Sequence, residues 1–342
     1  MESHGVAISL VYPIMKTIVH KGYDTEPFCS YASFDAALLQ DVEERIAAEE
    51  LERLMIAAAN FTQDEHFGLH QGQITEFADM GILGYVMMHS QTIADALAAY
   101  QRYNVILCSG FNLDWKVRGD TVLIRVFVEQ PGRMSRHCVE DMASSLYQLI
   151  GKLSNRRIPL QDIQFAHDAP ADTNPYMAVF GTVPRFSEEE NVLYMSKDVL
   201  NYPVMYSDSK LLRVFETIAQ ETRDELMQAH LFSGQVIQWM KTCIPSFFPT
   251  LQQTAVSFHT SARTLQSKLK LENTSYNDLS VRVRKELAIS YLKKLDYSIG
   301  DIAYALHFSE PSAFQSAFKK WTGQTPGQYR AQIRSKPFEA KQ

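Results

Sequence analysis

Two groups of four polar residues near the carboxyl end share one spacing. The members of each group fall at i, i+3, i+4 and i+7: Arg263, Gln266, Ser267 and Lys270 in the first group, and Ser312, Gln315, Ser316 and Lys319 in the second. On a helix this spacing puts all four on one face. Arg can fork onto guanine and Gln onto adenine in the major groove, while Ser and Lys more often reach phosphates or adaptable base edges. The residue types therefore suit DNA, although a merely solvated helix face has a similar composition.

Each group belongs to a segment with helical periodicity. At about 100° per residue, Leu265 and Leu269 fall on the side opposite the first group, and Phe314 and Phe318 fall opposite the second. We therefore predict two amphipathic helices whose apolar sides are buried and whose polar groups face outward.

The residues before these helices are typical of helix starts. Ser261 is a plausible N-cap for the first helix, and Ser309 is predicted to cap the second. Pro311 falls in the first turn of the second helix, where its missing N–H matters little.

The two helices belong to two copies of one unit. At an offset of 48 residues, the second copy repeats the first in four aligned pairs: Leu251 with Ile299, Ala255 with Ala303, Phe258 with Leu306 and His259 with His307. Each copy is predicted to be a helix-turn-helix unit. Between them, the apolar stripe of Tyr276 to Asp296 predicts a linker helix of about 31 Å. Because successive major grooves lie about 34 Å apart, one chain could read two adjacent segments.

The charge of the chain is divided unevenly. The total of 33 Lys and Arg against 39 Asp and Glu gives a net charge of −6. Residues 250–342 hold 14 basic and 7 acidic residues, a net charge of +7, whereas residues 1–249 carry −13. A basic module on an acidic body favours a nucleic-acid partner for the module alone.

Composition limits the class of protein. A chain of 342 residues with 46% hydrophobic and 21% charged content predicts two ordinary globular domains. It lacks a long apolar stretch and a signal peptide, so we expect a cytoplasmic protein with no membrane partner. The cysteines form no CxxC pair, which favours reduced, mostly buried thiols over a zinc ribbon or disulfides: Cys29, Cys108, Cys138 and Cys243.

The amino-terminal body reads as one α+β domain. Alternating apolar residues on either side of Arg118-Gly119-Asp120 predict a β-hairpin running from Phe111 to Val128. Further strands are predicted at Ile163–Ala166 and Val192–Met195. Helices are predicted at Glu43–Asn60, Thr92–Leu107 and Arg136–Leu153.

Catalytic and metal chemistry is poorly supported. His66 and His70 share a helical spacing, but no HExxH glutamate accompanies them, and Gly68 and Gly72 weaken a helix there. The run Glu188–Glu190 is typical of a solvated face. Neither a nucleophile elbow nor the clustered cysteines of a repair methyltransferase is present in the sequence. We therefore predict no enzyme, no metal site and no cofactor.

The carboxyl-terminal segment resembles the DNA-binding domain of the AraC/XylS family of bacterial regulators. The resemblance covers about 95 residues and is carried by SARTLQSKLK and by RKELAISYLKKLDYSIGDIAYALHFSEPSAFQSAFKKWTGQTPGQYR. It implies that 262–270 and 311–319 are the base-reading helices, and that Thr325 and Pro326 open a last helix whose N-terminus could hold a phosphate. Family members commonly carry Gly where His259 and His307 stand here, so these are predicted to be left-handed turn residues.

The amino-terminal body is similar to the sensor domain of the ornithine-utilisation type of AraC-family regulators. The motifs are GILGYVMMHSQTIADALAAYQRYNVILCSG and VFGTVPRFSEEENVLYMSKDVLNYPV. The expected domains are a sensing and dimerisation domain at 1–205, a helical linker at 206–232, the DNA-binding domain at 233–335 and a tail at 336–342.

These observations predict an α+β sensor domain followed by an all-α DNA-binding domain with two helix-turn-helix units joined by a linker helix. The expected protein is a transcription regulator, favoured as an activator, that binds double-stranded promoter DNA and a small-molecule effector. The resemblance further implies RNA polymerase as a partner and a homodimer. The alternatives are an effector-independent dimeric regulator and, less favoured, an enzyme fused to a DNA-binding domain.

Overall fold

The chain forms two compact units. The structure is a computed structural model that describes residues 5–128, 135–244, 246–294 and 297–335. One unit is formed by residues up to Leu226 and the other by residues from Met227. This division falls inside the segment 206–232 that the sequence suggested as a linker.

Helices surround a small sheet in the first unit. The helices, in chain order, are α1 (Tyr12–His20), α2 (Thr25–Tyr31), α3 (Ala48–Thr62), α4 (Phe67–Ile74), α5 (Gly81–His89), α6 (Ile93–Tyr103), α7 (Arg136–Ser154), α8 (Asn174–Phe180) and α9 (Ser209–His230). The last residues of α9, from Met227, belong to the second unit. The strands are β1 (Val6–Ala7), β2 (Arg45–Ile46), β3 (Phe111–Arg118), β4 (Thr121–Val128), β5 (Asp162–Gln164) and β6 (Asn191–Ser196). None of the helices in the described ranges is long and apolar enough to cross a membrane. The α+β class predicted for this part is confirmed.

The sheet is antiparallel, with the strand order β3-β4-β6-β5, and β1 pairs separately with β2. The predicted hairpin is its edge: Arg118 pairs with Thr121, leaving Gly119 and Asp120 as a two-residue turn. Gly119 has a φ of 60°, the left-handed conformation that such turns require and that glycine adopts without strain.

Two helices of the first unit differ from their predicted bounds. The helix predicted to begin at Glu43 begins at Ala48, because Arg45 and Ile46 form a strand paired with Val6 and Ala7. The helix predicted at Thr92–Leu107 stops at Tyr103 and continues as a 3₁₀ turn. The first difference arises from pairing with a distant part of the chain, and the second from a tightened last turn. Local periodicity in the sequence reports neither.

Helices α4 and α7 pack at very short range. A Cβ atom placed on Gly68 would lie 1.9 Å from the carbonyl oxygen of His137, and one on Gly72 would lie 2.5 Å from Cβ of Ser144. Helix α4 includes both glycines, although glycine lowers helix propensity. Their role is to let two backbones approach.

The second unit is helical in all of its described elements. They are α10 (Phe232–Cys243), α11 (Leu251–Ser257), α12 (Ala262–Leu271), α13 (Tyr276–Lys293), α14 (Ile299–Ala305), α15 (Pro311–Thr322) and α16 (Pro326–Ser335). The pairs α11–α12 and α14–α15 are the two predicted helix-turn-helix units, and α13 is the predicted linker helix. The all-α fold class is therefore confirmed.

Helix α13 contributes to two separate cores. Leu279 and Val283 pack with Leu265 and Leu269 in the first core. One or two turns later, Ala288 and Leu292 pack in the second core, which contains Phe314 and Phe318. The apolar stripe of α13 thus connects the cores of the two helix-turn-helix units, although the helix is shorter than predicted. It ends at Lys293 rather than Asp296, which lies outside the described residues, so its length is about 27 Å.

The turn residues behave as the sequence predicted, with one exception. His259 and His307 have left-handed φ values of 48° and 58°, and the Ser261 hydroxyl accepts the N–H of Thr264 as an N-cap. The prediction that Ser309 caps α15 was wrong, because Glu310 is the N-cap and makes no side-chain cap bond. A residue before proline is pushed into the extended region that an N-cap adopts, and Glu310 precedes Pro311.

Arg284 of α13 connects the turn of the second helix-turn-helix unit with the segment that precedes α11. Its guanidinium carbon lies 3.6 Å from the ring centroid of Phe248 and 5.2 Å from that of Phe308. Its Nε donates to the carbonyl oxygen of Leu306 at 3.3 Å. Burial lowers the pKa of this guanidinium, which remains charged because Arg titrates far above neutrality.

We expect Arg284→Ala to lower the free energy of unfolding of the second unit by about 2 kcal/mol. The substitution removes two cation–π contacts and a charge-assisted hydrogen bond. Urea unfolding followed by circular dichroism measures the effect. The control is Arg282→Ala, whose exposed side chain pairs with Glu286 and should cost less than about 1 kcal/mol. Equal losses in the two variants would contradict a bracing role for Arg284.

Candidate functional site

Helix α12 presents the first polar group on its exposed side. Leu265 and Leu269 are fully buried and fix the rotation of the helix against the core. The four residues predicted from the sequence are all exposed: Arg263, Gln266, Ser267 and Lys270. The resulting face carries two cationic and two neutral hydrogen-bonding side chains.

Helix α15 repeats this arrangement. Phe314 and Phe318 are fully buried, and Pro311 occupies the first helical position. The corresponding polar group is again exposed: Ser312, Gln315, Ser316 and Lys319. The two helices therefore present equivalent positions to solvent, as the common spacing requires.

The cationic side chains of these faces are not neutralised within the described part of the chain. No described carboxylate forms a salt bridge with Arg263, Lys270 or Lys319, whereas Lys241 and Arg282 both pair with Glu286 on another surface. Unpaired cations on an exposed face are available to phosphate oxygens.

Thr325 is engaged in a helix cap. Its hydroxyl accepts the N–H of Gln328 at 3.3 Å and donates to Gln328 Oε1 at 3.0 Å. It is half-buried, so a phosphate at the start of α16 would compete with Gln328 for this hydroxyl.

Two residues help to hold the second unit together. Arg284 was not singled out from the sequence, and His307 was singled out only as a turn residue. The His307 ring nitrogen Nε2 lies 2.7 Å from the carbonyl oxygen of Ile244. The sequence indicated the left-handed turn at His307 but not this bond, because Ile244 lies far away along the chain.

The histidine pair of the first unit is not arranged around a common point. His70 Nδ1 lies 2.8 Å from Asp64, while the buried ring of His66 packs edge-on against Tyr176 at 5.4 Å. The Tyr176 hydroxyl donates to Glu140, whose pKa burial raises to about 7. Within the described residues, no group of three or more His, Cys, Asp or Glu is positioned to hold a metal ion.

The acidic run is mostly paired on the surface. Glu188 forms a salt bridge with Arg185 and Glu190 with Arg125, and Glu189 is exposed. This arrangement suits a solvated face.

A partly open cavity of about 90 Å³ lies in the first unit. Helices α4 and α7 and strand β3 contribute to its walls through Gln71, Asp141 and Leu113. Most of the lining side chains are apolar, with a few polar groups, which is the usual composition of a small-molecule site. The acid Asp141 lines it, and burial raises the pKa of Asp141 to about 7.

The fold and these surfaces define a DNA-binding regulator of the helix-turn-helix class with an amino-terminal ligand-binding domain. Residues 22–204 match the family described as the arabinose-binding domain of AraC transcription regulators, and residues 254–332 match a helix-turn-helix domain family. Because the first match covers more than half of the 342 residues, the chain belongs to the AraC family of transcription regulators.

Relatives across most of the chain are also transcription regulators. The ornithine utilization regulator of Pseudomonas aeruginosa is 28% identical and is matched over 87% of this chain and 90% of its own length. The urease operon transcriptional activator of Escherichia coli is 24% identical and is matched over 74% of this chain and 82% of its own length. Among solved structures, the regulator CdpR of Pseudomonas aeruginosa matches 90% of this chain and 98% of its own, with 18% identity and a TM-score of 0.43.

Proposed function

We propose that this regulator inserts α12 and α15 into two successive major-groove segments of promoter DNA. The observation that carries the proposal is the repeated exposed face, with the same i, i+3, i+4, i+7 spacing on both helices and unpaired cations on each. The net charge of +7 over residues 250–342 supports it. The proposed DNA-binding domain is 233–335. The proposed DNA contacts are the exposed polar groups of α12 and α15, and Thr325 is proposed to contact a phosphate.

The first unit is proposed to sense a small molecule and to change the activity of the second. The cavity between its helices and sheet supports this role. A ligand shifts such an equilibrium only if it binds one state more tightly than the other. Activation of transcription together with RNA polymerase is the proposed output, and the name of the urease operon relative supports activation over repression. Transcription in vitro with RNA polymerase, with and without the regulator, tests the direction.

A homodimer is proposed through the first unit and α9. Leu211, Val214 and Ile218 of α9 are 42%, 54% and 44% exposed and fall at i, i+3 and i+7, so they form an apolar stripe on one side of the helix. Such a stripe is a common feature of helix–helix association. The molar mass of the full chain in solution tests this assignment.

Binding of the full chain to promoter fragments at rising salt tests the DNA interface. We expect the logarithm of the binding constant to fall linearly with the logarithm of salt concentration, with a slope of about 0.9 per phosphate neutralised. Footprinting should protect two successive major-groove segments on one face of the duplex. A binding constant that does not change with salt would contradict the proposal.

We expect Arg263→Ala to weaken binding to the preferred DNA by about 1 to 3 kcal/mol and to relax the preference at one base pair. The matched control is Lys268→Ala, which removes a cation from the same helix. Lys268 lies 4.8 Å from the ring of Phe232, away from the proposed face, so its loss should change affinity less and leave base preference intact. Gel-shift competition with single-base variants measures both effects. A uniform loss over all sequences would assign Arg263 to a phosphate instead.

A further inference from the structure

Asp141 is a cavity-lining carboxylate whose charge no described cation neutralises. It accepts hydrogen bonds from the Ser145 hydroxyl at 3.2 Å and from the side chain of Gln71. An ionised carboxylate has about four acceptor sites, so two donors leave part of its capacity unused. Asp141 forms no salt bridge with any described residue.

The second carboxylate of the cavity provides an internal comparison. Asp79 also lines the wall, but it forms a salt bridge of 2.7 Å with Lys16 and accepts the backbone N–H of Glu76 at 2.8 Å. Its charge and its lone pairs are therefore satisfied within the protein. Asp141 differs from it in having no cation.

Two further acceptors in the cavity wall have no donor among the described residues. Gln71 Oε1 and Asn104 Oδ1 are both unpaired, and each residue is only 2% exposed. The amide nitrogen of Asn104 donates to the carbonyl oxygens of Cys108 and Phe111, which fixes its oxygen as the free group. Buried polar groups are rarely left unpaired, so these acceptors indicate a missing donor.

The rest of the wall limits the ligand further. Much of it consists of aliphatic and methionine side chains, such as Leu51, Met55, Met142 and Leu149. Within the described part of the chain, no Lys, Arg or His lines the cavity. A ligand carboxylate or phosphate would therefore be buried beside Asp141 with no basic partner, which is unfavourable.

We propose that this cavity binds a small primary amine as its ammonium ion, with Asp141 as the counter-ion and an apolar ligand body against the aliphatic wall. An ammonium group brings three donors and no acceptor, which complements the acceptor set. The volume of about 90 Å³ is below that of a roughly 150 Å³ cavity known to hold benzene, so the ligand is small. The inference rests on the proposed sensing function of the first unit.

The test is calorimetric titration of the full chain with four compounds that share a three-carbon chain: n-propylamine, propan-1-ol, propanoate and 2-aminopropanoic acid. We expect n-propylamine to bind at least roughly 10-fold more tightly than the alcohol, because only the amine carries the charge-assisted bond. The two compounds of the series that carry a carboxylate should bind more weakly than the alcohol. Equal affinity for the amine and the alcohol, tighter binding of either carboxylate, or no binding of the amine would overturn the proposal.

Variants test the assigned counter-ion. Asp141→Asn should weaken binding of n-propylamine by roughly 10- to 100-fold, as loss of a charged hydrogen-bond partner does. Glu189→Gln, which removes an exposed carboxylate of the same unit, should leave the affinity unchanged. Circular dichroism establishes that each variant is folded. An unchanged affinity in Asp141→Asn would overturn the assignment, and the comparison of compounds on the unaltered chain does not depend on either variant.

Binding of promoter DNA by the same preparation tests the proposed regulatory function separately from the amine site. If the protein binds DNA but not n-propylamine, the amine site is wrong and the regulatory function remains. If it binds the amine through Asp141 but no DNA, the ligand chemistry stands and the proposed function fails.

Discussion

Gly68→Ala is expected to lower the free energy of unfolding of the first unit by about 3 to 5 kcal/mol. The added Cβ would lie 1.9 Å from the carbonyl oxygen of His137 and 2.6 Å from its carbonyl carbon. These are backbone atoms of α7, so no side-chain rotation can relieve the overlap and the two helices must separate. The gain of up to about 1 kcal/mol in helix propensity from Gly to Ala is too small to offset this cost.

Amide hydrogen exchange measured on peptides from α7 reports the effect. Exchange there should become faster by the factor that corresponds to the lost free energy. The control is Gly300→Ala in α14, where the nearest atom to an added Cβ is the Ser298 hydroxyl at 3.6 Å. That substitution should be neutral or stabilise the helix by up to about 1 kcal/mol. Unchanged protection of α7 in Gly68→Ala would show that the close approach of the helices is not required.

This separation would also damage the cavity, because its acceptors lie on the same pair of helices. Gln71 belongs to α4 and Asp141 to α7. We therefore expect Gly68→Ala to lose the ligand response of the first unit even in preparations that remain partly folded.

The features that the sequence predicted well are those with a local cause. The hairpin at Phe111–Val128 follows from an alternation of period two and a turn that needs glycine. The outward direction of Gln266 and Gln315 follows from helical spacing relative to buried Leu265 and Phe314. Their exposure could be predicted, but whether they touch bases depends on DNA and stays a prediction.

The features that the sequence missed depend on contacts between distant segments. The start of α3 is displaced because Ile46 pairs with Val6, forty residues earlier in the chain. The cavity combines Gln71, Asn104 and Asp141 from three separate segments, and each is an ordinary polar residue in its own segment. Arg284 likewise looks like one more cation of a basic helix until Phe248 and Phe308 are seen on either side of it.

Replacement of Asp141 by Asn is expected to make the first unit more stable at high pH. Burial raises the pKa of Asp141 from 3.8 to about 7, and the nearby Asp79 adds to the shift. The native state therefore holds a proton that the unfolded chain releases. Stability from this group is fully present below about pH 4 and is lost as the pH rises to about 7. Over this whole pH range the free energy of unfolding falls by up to about 4 kcal/mol, of which about 2 to 3 kcal/mol is lost between pH 5 and pH 8.

The measurement is the difference in unfolding free energy between Asp141→Asn and the unaltered chain, from urea titrations at pH 5 and pH 8. Other shifted groups are common to both proteins and cancel in this difference. Glu140, with a pKa raised to about 7, acts in the same direction, whereas His137, with a pKa lowered to about 4 by burial, acts in the opposite one. Asp79, Tyr100 and Cys138, which line the same cavity, are present in both proteins. A difference that is the same at both pH values would contradict an Asp141 that is desolvated and has no described cation beside it.

The same titration connects this pH dependence to the proposed ligand. At pH 8 the ionised carboxylate of Asp141 costs the native state stability because it has no cation beside it. An ammonium ion bound there would offset this cost, so n-propylamine should raise the stability of the unaltered chain at pH 8 and should do so less at pH 5, where Asp141 keeps its proton. Asp141→Asn should gain little at either pH, since it has no charge to neutralise. Stabilisation by the amine that is equal in the two proteins would place the ligand away from Asp141.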